Sequence, residues 1–115
     1  MELNEYQEKI IKFDLFDNRT ETVQIDMPFL DKVLGLAGES GEVADKVKKL
    51  IRDRDGKISA EEQKALALEL GDLLWYLATC ARYLGLTLED VAAGNLSKLE
   101  SRLERGKIVG SGDNR

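Results

Sequence analysis

The sequence predicts an all-α fold, an antiparallel four-helix bundle. Three observations carry this reading. Apolar residues recur at helical spacing over long segments, helix start and stop signals separate those segments, and the single proline, Pro28, falls where a helix would begin. With 115 residues the chain suffices for one domain with a modest core.

Helix 1 is expected over about residues 2–15, with Leu3, Tyr6, Ile10 and Phe13 on one face. "DNRTETVQID" reads as a loop in which "TVQI" is briefly extended. Helix 2 starts near Pro28, a good first-turn residue, and runs to about Arg52; "DRDGK" is the turn after it. Ser59 and Glu62 form a capping box for helix 3, which runs to Leu84 and stops at Gly85. Thr87 and Asp90 open helix 4 in the same way, and it ends at Gly106. The short connections make consecutive helices antiparallel neighbours. Residues 1–106 are thus one domain, and residues 107–115 a glycine-rich tail.

Composition narrows the chemistry. Hydrophobic residues make up 43% and charged residues 34%, as in a soluble globular protein. No apolar run is long enough to span a membrane, and the N-terminus lacks the pattern of a signal peptide. The one cysteine, Cys80, sits in an apolar stretch and is expected to be a buried thiol, which points to a cytoplasmic location. A net charge of −5 argues against a nucleic-acid duplex as partner. The absence of histidine removes Ser-His-Asp and Cys-His catalysis and the usual zinc sites. "GESGE" resembles a nucleophile elbow, but no histidine could serve as its base, so Ser40 is read as a small packing residue.

The informative stretch is "GLAGESGEVADKV", Gly35 to Val47. Gly35, Gly38 and Gly41 weaken a helix, so something must offset them. The expectation is that they remove bulk around a site and let backbone or ligand approach. At 100° per residue, Glu39, Lys46 and Glu42 lie roughly 60°, 80° and 120° to one side of the stripe Leu36, Val43, Val47 and Leu50. On helix 3, Glu69, Tyr76 and Asp72 hold about the same offsets from Leu66, Leu70, Leu73, Leu77 and Leu84. A weak repeat at an offset of 30 residues relates the two helices. Both acidic pairs stand roughly 22 Å from the intervening turn. Glu39, Glu42, Glu69 and Asp72 therefore converge on one spot. Taken singly each is an ordinary solvated helix charge. Four together repel one another, and a hard divalent cation such as Mg²⁺, or Mn²⁺, would relieve that. On helix 4, Asn95, Arg102 and Lys98 flank the stripe Leu88, Ala92, Leu96, Leu99 and Leu103 on the same side, where an amide and two cations suit phosphate oxygens. Trp75, opposite the helix 3 stripe, is expected at a subunit interface or, as the lesser alternative, on a base-stacking surface.

"GLAGESGEVADKVKK", "ELGDLLWYLA" and "NLSKLESR" resemble the all-α nucleoside triphosphate pyrophosphohydrolases of the MazG type. That family's E-x-x-E and E-x-x-D pairs fall here on Glu39–Glu42 and Glu69–Asp72, and the resemblance runs from about Gly35 through the closing "GSGDNR". It implies hydrolysis of a nucleoside triphosphate between the α- and β-phosphates, giving monophosphate and pyrophosphate. It also implies Mg²⁺, a homodimer or homotetramer, and clearance of noncanonical or excess nucleotides. In that reading Glu39, Glu42, Glu69 and Asp72 hold metal and carry the catalysis, one of them serving as base towards water. Lys46, Asn95, Lys98 and Arg102 bind substrate. The tail reads either as a disordered glycine-rich terminus or, as the resemblance favours, as a segment that orders over the bound triphosphate, with Gly110 and Gly112 bringing main-chain N–H groups to phosphate and Lys107 or Arg115 adding charge; in the second reading its contacts are expected only with ligand.

Three rival readings remain. "DRDGKISAEE" matches much of an EF-hand loop, but Ile51 stands where the first carboxylate should be. A non-catalytic helical assembly protein would tolerate amides at the four carboxylates. A same-fold hydrolase would act on another diphosphate-containing compound.

Overall fold

The computed structural model describes residues 1–16 and 23–115. Among the described residues the chain is all-helical. It consists of α1 (Leu3–Ile10), a 3-10 turn (Ile11–Phe13), α2 (Met27–Arg54), α3 (Ala60–Tyr83) and α4 (Leu88–Glu104). Val23, Gln24 and Ile25 take no regular structure, and the rest of the expected loop lies outside the described residues.

The helix boundaries follow local chemistry. Asp26 caps α2, its carboxylate accepting from the Phe29 N–H at 3.0 Å, and Pro28 occupies the first turn. The far end of α2 turns over through Asp55 and Gly56, both at positive φ. Reciprocal capping boxes, Ser59 with Glu62 and Thr87 with Asp90, open α3 and α4. Gly85, at φ +73°, follows the end of α3. Helix 1 is shorter than its apolar spacing suggests. It tightens into the 3-10 turn and ends at Asp14, whose buried carboxylate is held by α2 and α3.

α2 and α3 pair along a long hairpin, while α1 and the start of α4 pack at its open end. The core sits there: Ile10, Ala78 and Leu88, with Tyr6, Leu74 and Trp75 against them. Gln7 ties the end together. Its amide donates to the Ala78 and Leu86 carbonyls at 3.1 and 3.0 Å, and its oxygen accepts from the Leu88 N–H at 2.9 Å. Beside it lies a second tie that sequence periodicity does not signal. Lys32 is 2% exposed and pairs with Asp14 at 3.1 Å and Asp31 at 2.9 Å, and its ammonium lies over the Phe16 and Trp75 rings. The Tyr83 hydroxyl donates to the other Asp14 oxygen. Burial pulls the Lys32 pKa down, but hydrogen bonds to Asp31 and Asp14 and their charges outweigh it and leave it raised.

The single chain is open. Its radius of gyration is 17.0 Å, against about 13 Å for a compact domain of this length. α4 leaves the hairpin with Leu96, Leu99 and Leu103 exposed, and on α3 Leu70, Leu77 and Leu84 of the expected stripe are exposed too. Trp75 corrects its sequence reading, since it packs inward on the core of its own chain.

Lys32→Ala strands the Asp14 carboxylate in a buried setting, which should cost about 3–5 kcal/mol. Urea unfolding of the two proteins measures this, and an unchanged midpoint would show that the pair is solvated. A raised lysine pKa supplies stability below the ordinary value of 10.5 that is lost as pH climbs through the folded value. The wild-type chain should therefore lose part of its margin over Lys32→Ala above about pH 10.5.

Candidate active site

The antiparallel α2–α3 pair brings three of the four predicted carboxylates together. One oxygen each from Glu39, Glu69 and Asp72 lies within 4.8 Å of the others. Glu39 and Glu69 are half-buried and Asp72 is exposed. Glu42, one turn on from Glu39, points to solvent and lies outside this group, although its charge still reaches Glu39. Partial loss of hydration, then repulsion from Asp72, Glu69 and Glu42, holds the Glu39 carboxyl above the ordinary range. Lys46 stands 3.3 Å from Glu69 and offsets part of the negative charge.

Only one of the three glycines is required by this packing. A Cβ on Gly35 would sit 2.1 Å from the Tyr76 ring, so the ring can lie against α2 only because Gly35 has no side chain. Gly38 and Gly41 face open space. Ser40 is exposed and donates to the Leu36 carbonyl at 2.8 Å, so it packs against nothing. Tyr6 is a neighbour that the sequence reading assigned to the helix 1 face alone. Burial, then the Asp72 charge, raises its phenol pKa.

The predicted helix 4 residues lie elsewhere in the single chain. Asn95 and Lys98 line an open groove of about 650 Å³ with Leu3, Leu74, Leu77 and Leu88. Arg102 is 6% exposed, and its guanidinium donates to the tail carbonyl of Asp113 at 2.9 Å. The tail therefore lies against α4.

The EF-hand reading has its carboxylates already engaged. Asp53 accepts two bonds from Arg52, at 2.6 and 2.7 Å, and Glu62 is held by the Ser59 N–H and Arg54. The Arg52 bond lowers the Asp53 pKa and the Ser59 bond lowers that of Glu62. This is a turn and a cap, with Ile51 inside α2.

An all-oxygen donor set in mutual repulsion fits a hard divalent cation. Glu39→Gln should raise the melting temperature of the metal-free protein at neutral pH. The elevated folded pKa means that the ionised Glu39 opposes folding there. The advantage should vanish below about pH 4, where Glu39 is protonated whether folded or not. Thermal melts in chelator across this range check it; a melting temperature lowered at neutral pH would contradict the repulsion.

The segment that holds all eight predicted residues is also the segment that known proteins share. The family model "MazG nucleotide pyrophosphohydrolase domain" matches residues 30–106. The chain is 54% identical over 82 residues to the Gene 37 protein of Mycobacterium phage L5, which covers 71% of this chain and 72% of that protein. No solved structure matches. With two-thirds of its length matched, and with helices and no strands among its described residues, the chain belongs to the MazG nucleotide pyrophosphohydrolase domain family.

Proposed function

We propose that the protein hydrolyses nucleoside triphosphates between the α- and β-phosphates, releasing nucleoside monophosphate and pyrophosphate. The observation that supports this most is the convergence of Glu39, Glu69 and Asp72 within 4.8 Å, beside Lys46, inside the family-matching segment. These three would hold Mg²⁺, with Mn²⁺ as the substitute, and Glu42 is the fourth carboxylate of the set. Bound there, the cation supplies neutralisation of the phosphate charge that four carboxylates would otherwise repel.

The chain's own residues do the rest. A water oxygen bonds to one phosphorus of the Pα–O–Pβ bridge, and the bridging oxygen departs with the other. A carboxylate of the set takes the proton of the attacking water. Lys46 can exchange its bond to Glu69 for a phosphate oxygen, and Asn95 and Lys98 offer further donors for the phosphate chain.

The open shape supports a homodimer or homotetramer. Isolated leucines on a surface are ordinary, but Leu70, Leu77 and Leu84 on α3 and Leu96, Leu99 and Leu103 on α4 form runs at helical spacing. A second copy of the chain would cover them and bring helix 4 donors towards a carboxylate group. Sedimentation at micromolar concentration should find at least a dimer; a folded monomer alone would refute this arrangement.

Turnover tests the reaction. A panel of nucleoside triphosphates with Mg²⁺ should yield pyrophosphate and monophosphate, and chelator should stop it. Asp72→Asn and Glu39→Gln should each lower the rate about a hundredfold or more while circular dichroism stays helical. Orthophosphate as the first product would overturn the assignment, and near-wild-type rates in both variants would reduce the cluster to a solvated patch.

A further inference from the structure

A recess lies one turn along the α2–α3 groove from the carboxylates. It holds about 150 Å³, and four aromatic rings wall it: Phe13, Phe16, Trp75 and Tyr76. Helix spacing sets its place. Tyr76 is one turn after Asp72 on α3, and its ring lies against Gly35, one turn before Glu39 on α2. Asp31 and Lys32, also in the wall, lie a further turn back along α2.

The recess offers ring faces rather than free charge. Lys32 is spent on Asp14 and Asp31, at 3.1 and 2.9 Å, and Asp14 also accepts from the Tyr83 hydroxyl. The Lys32 ammonium lies over the Phe16 and Trp75 rings, 5.3 and 5.8 Å from their centroids. Trp75 in turn meets Tyr76 edge to face, with centroids 4.7 Å apart. These contacts hold the rings in place. Phe13 and Phe16 nevertheless remain 59% and 67% exposed. Rings gathered at a recess and left uncovered suit a flat, uncharged ring stacked among them.

We propose that this recess takes the nucleobase of the substrate and selects a single six-membered ring, a pyrimidine, over a purine. The assignment rests on the hydrolase reading above. A cavity of about 150 Å³ accommodates one benzene-sized ring, and the fused rings of a purine need more room. The position suits the same substrate. A nucleotide whose phosphates lie at Glu39, Glu69 and Asp72 reaches the recess with its base along one continuous groove. Recognition there is by stacking and size, because the charged groups of the wall already satisfy one another.

Trp75 is the single tryptophan of the chain, so its fluorescence reports on the recess. Uridine and cytidine monophosphates, titrated into the full-length protein in chelator, should change that fluorescence at concentrations about tenfold lower than adenosine and guanosine monophosphates require. Phe16→Ala, shown to be helical by circular dichroism, should weaken pyrimidine binding about tenfold and reduce the preference for pyrimidine triphosphates in kcat/KM. Equal affinity for the two base classes, no response at millimolar nucleotide, or unchanged affinity in Phe16→Ala overturns the proposal. If Phe16→Ala alters sedimentation alone, the rings pack on a second copy of the chain, and the proposal falls. Pyrimidine binding without turnover would leave the recess standing and remove the hydrolase reading. Pyrophosphate release at equal kcat/KM for all four bases, without selective binding, would do the reverse.

Discussion

The contact between the Tyr76 ring and Gly35 sets what the rest of the molecule can do. Two long antiparallel helices can slide past one another, and their leucines alone allow more than one register. An aromatic ring that fits only over a glycine removes that freedom. Gly35 lies one turn before Glu39 and Tyr76 one turn after Asp72, so the contact that locks the helices also fixes the heights of their carboxylates. At the other end the capped turn from Asp55 to Ser59 closes the hairpin. Between these two fixed points Glu39, Glu69 and Asp72 have little choice but to meet.

That meeting is costly for the chain alone, and the charges around it show how the cost is contained. Lys46 stands against Glu69, the Glu39 carboxyl is raised, and Glu42 remains in solvent. At the end of α4 the guanidinium groups of Arg102 and Arg105 are held by main-chain oxygens of the tail. The carboxylate group lies inside the segment that matches the MazG nucleotide pyrophosphohydrolase domain.

Rigidity is distributed to match. The core at the open end of the hairpin is small, and polar ties reinforce it: Gln7 across three backbone groups, and Lys32 with Asp14 and Tyr83. These join α1 to α3 and α4, and the 3-10 turn region to α2 and α3. They hold Tyr6 of α1 against the core. No helix of the described chain is long and apolar enough to cross a membrane, so the leucines along α3 and α4 cannot be explained as a spanning segment.

The sequence by itself determined the helices and the meeting of three of four acidic side chains. Caps, turn glycines and helical spacing are local, acting within one turn, so Ser59–Glu62, Thr87–Asp90, Pro28 and Gly85 could be read directly. The convergence of Glu39 with Glu69 and Asp72 was also legible, because a short turn between two regular helices makes height and angle simple arithmetic. Only the tertiary structure decided which partners those faces meet. Trp75 turned inward, Leu70 and Leu77 stayed exposed, and Gly38 and Gly41 faced nothing, because a helical wheel ranks faces but cannot say which neighbour arrives. Lys32 was illegible for the same reason: its partner Asp14 lies on another element. The tail and Arg102 depended on a chain reversal through Gly106 and Gly110, whose positive φ angles carry no periodic signal, so their contacts exist only in three dimensions.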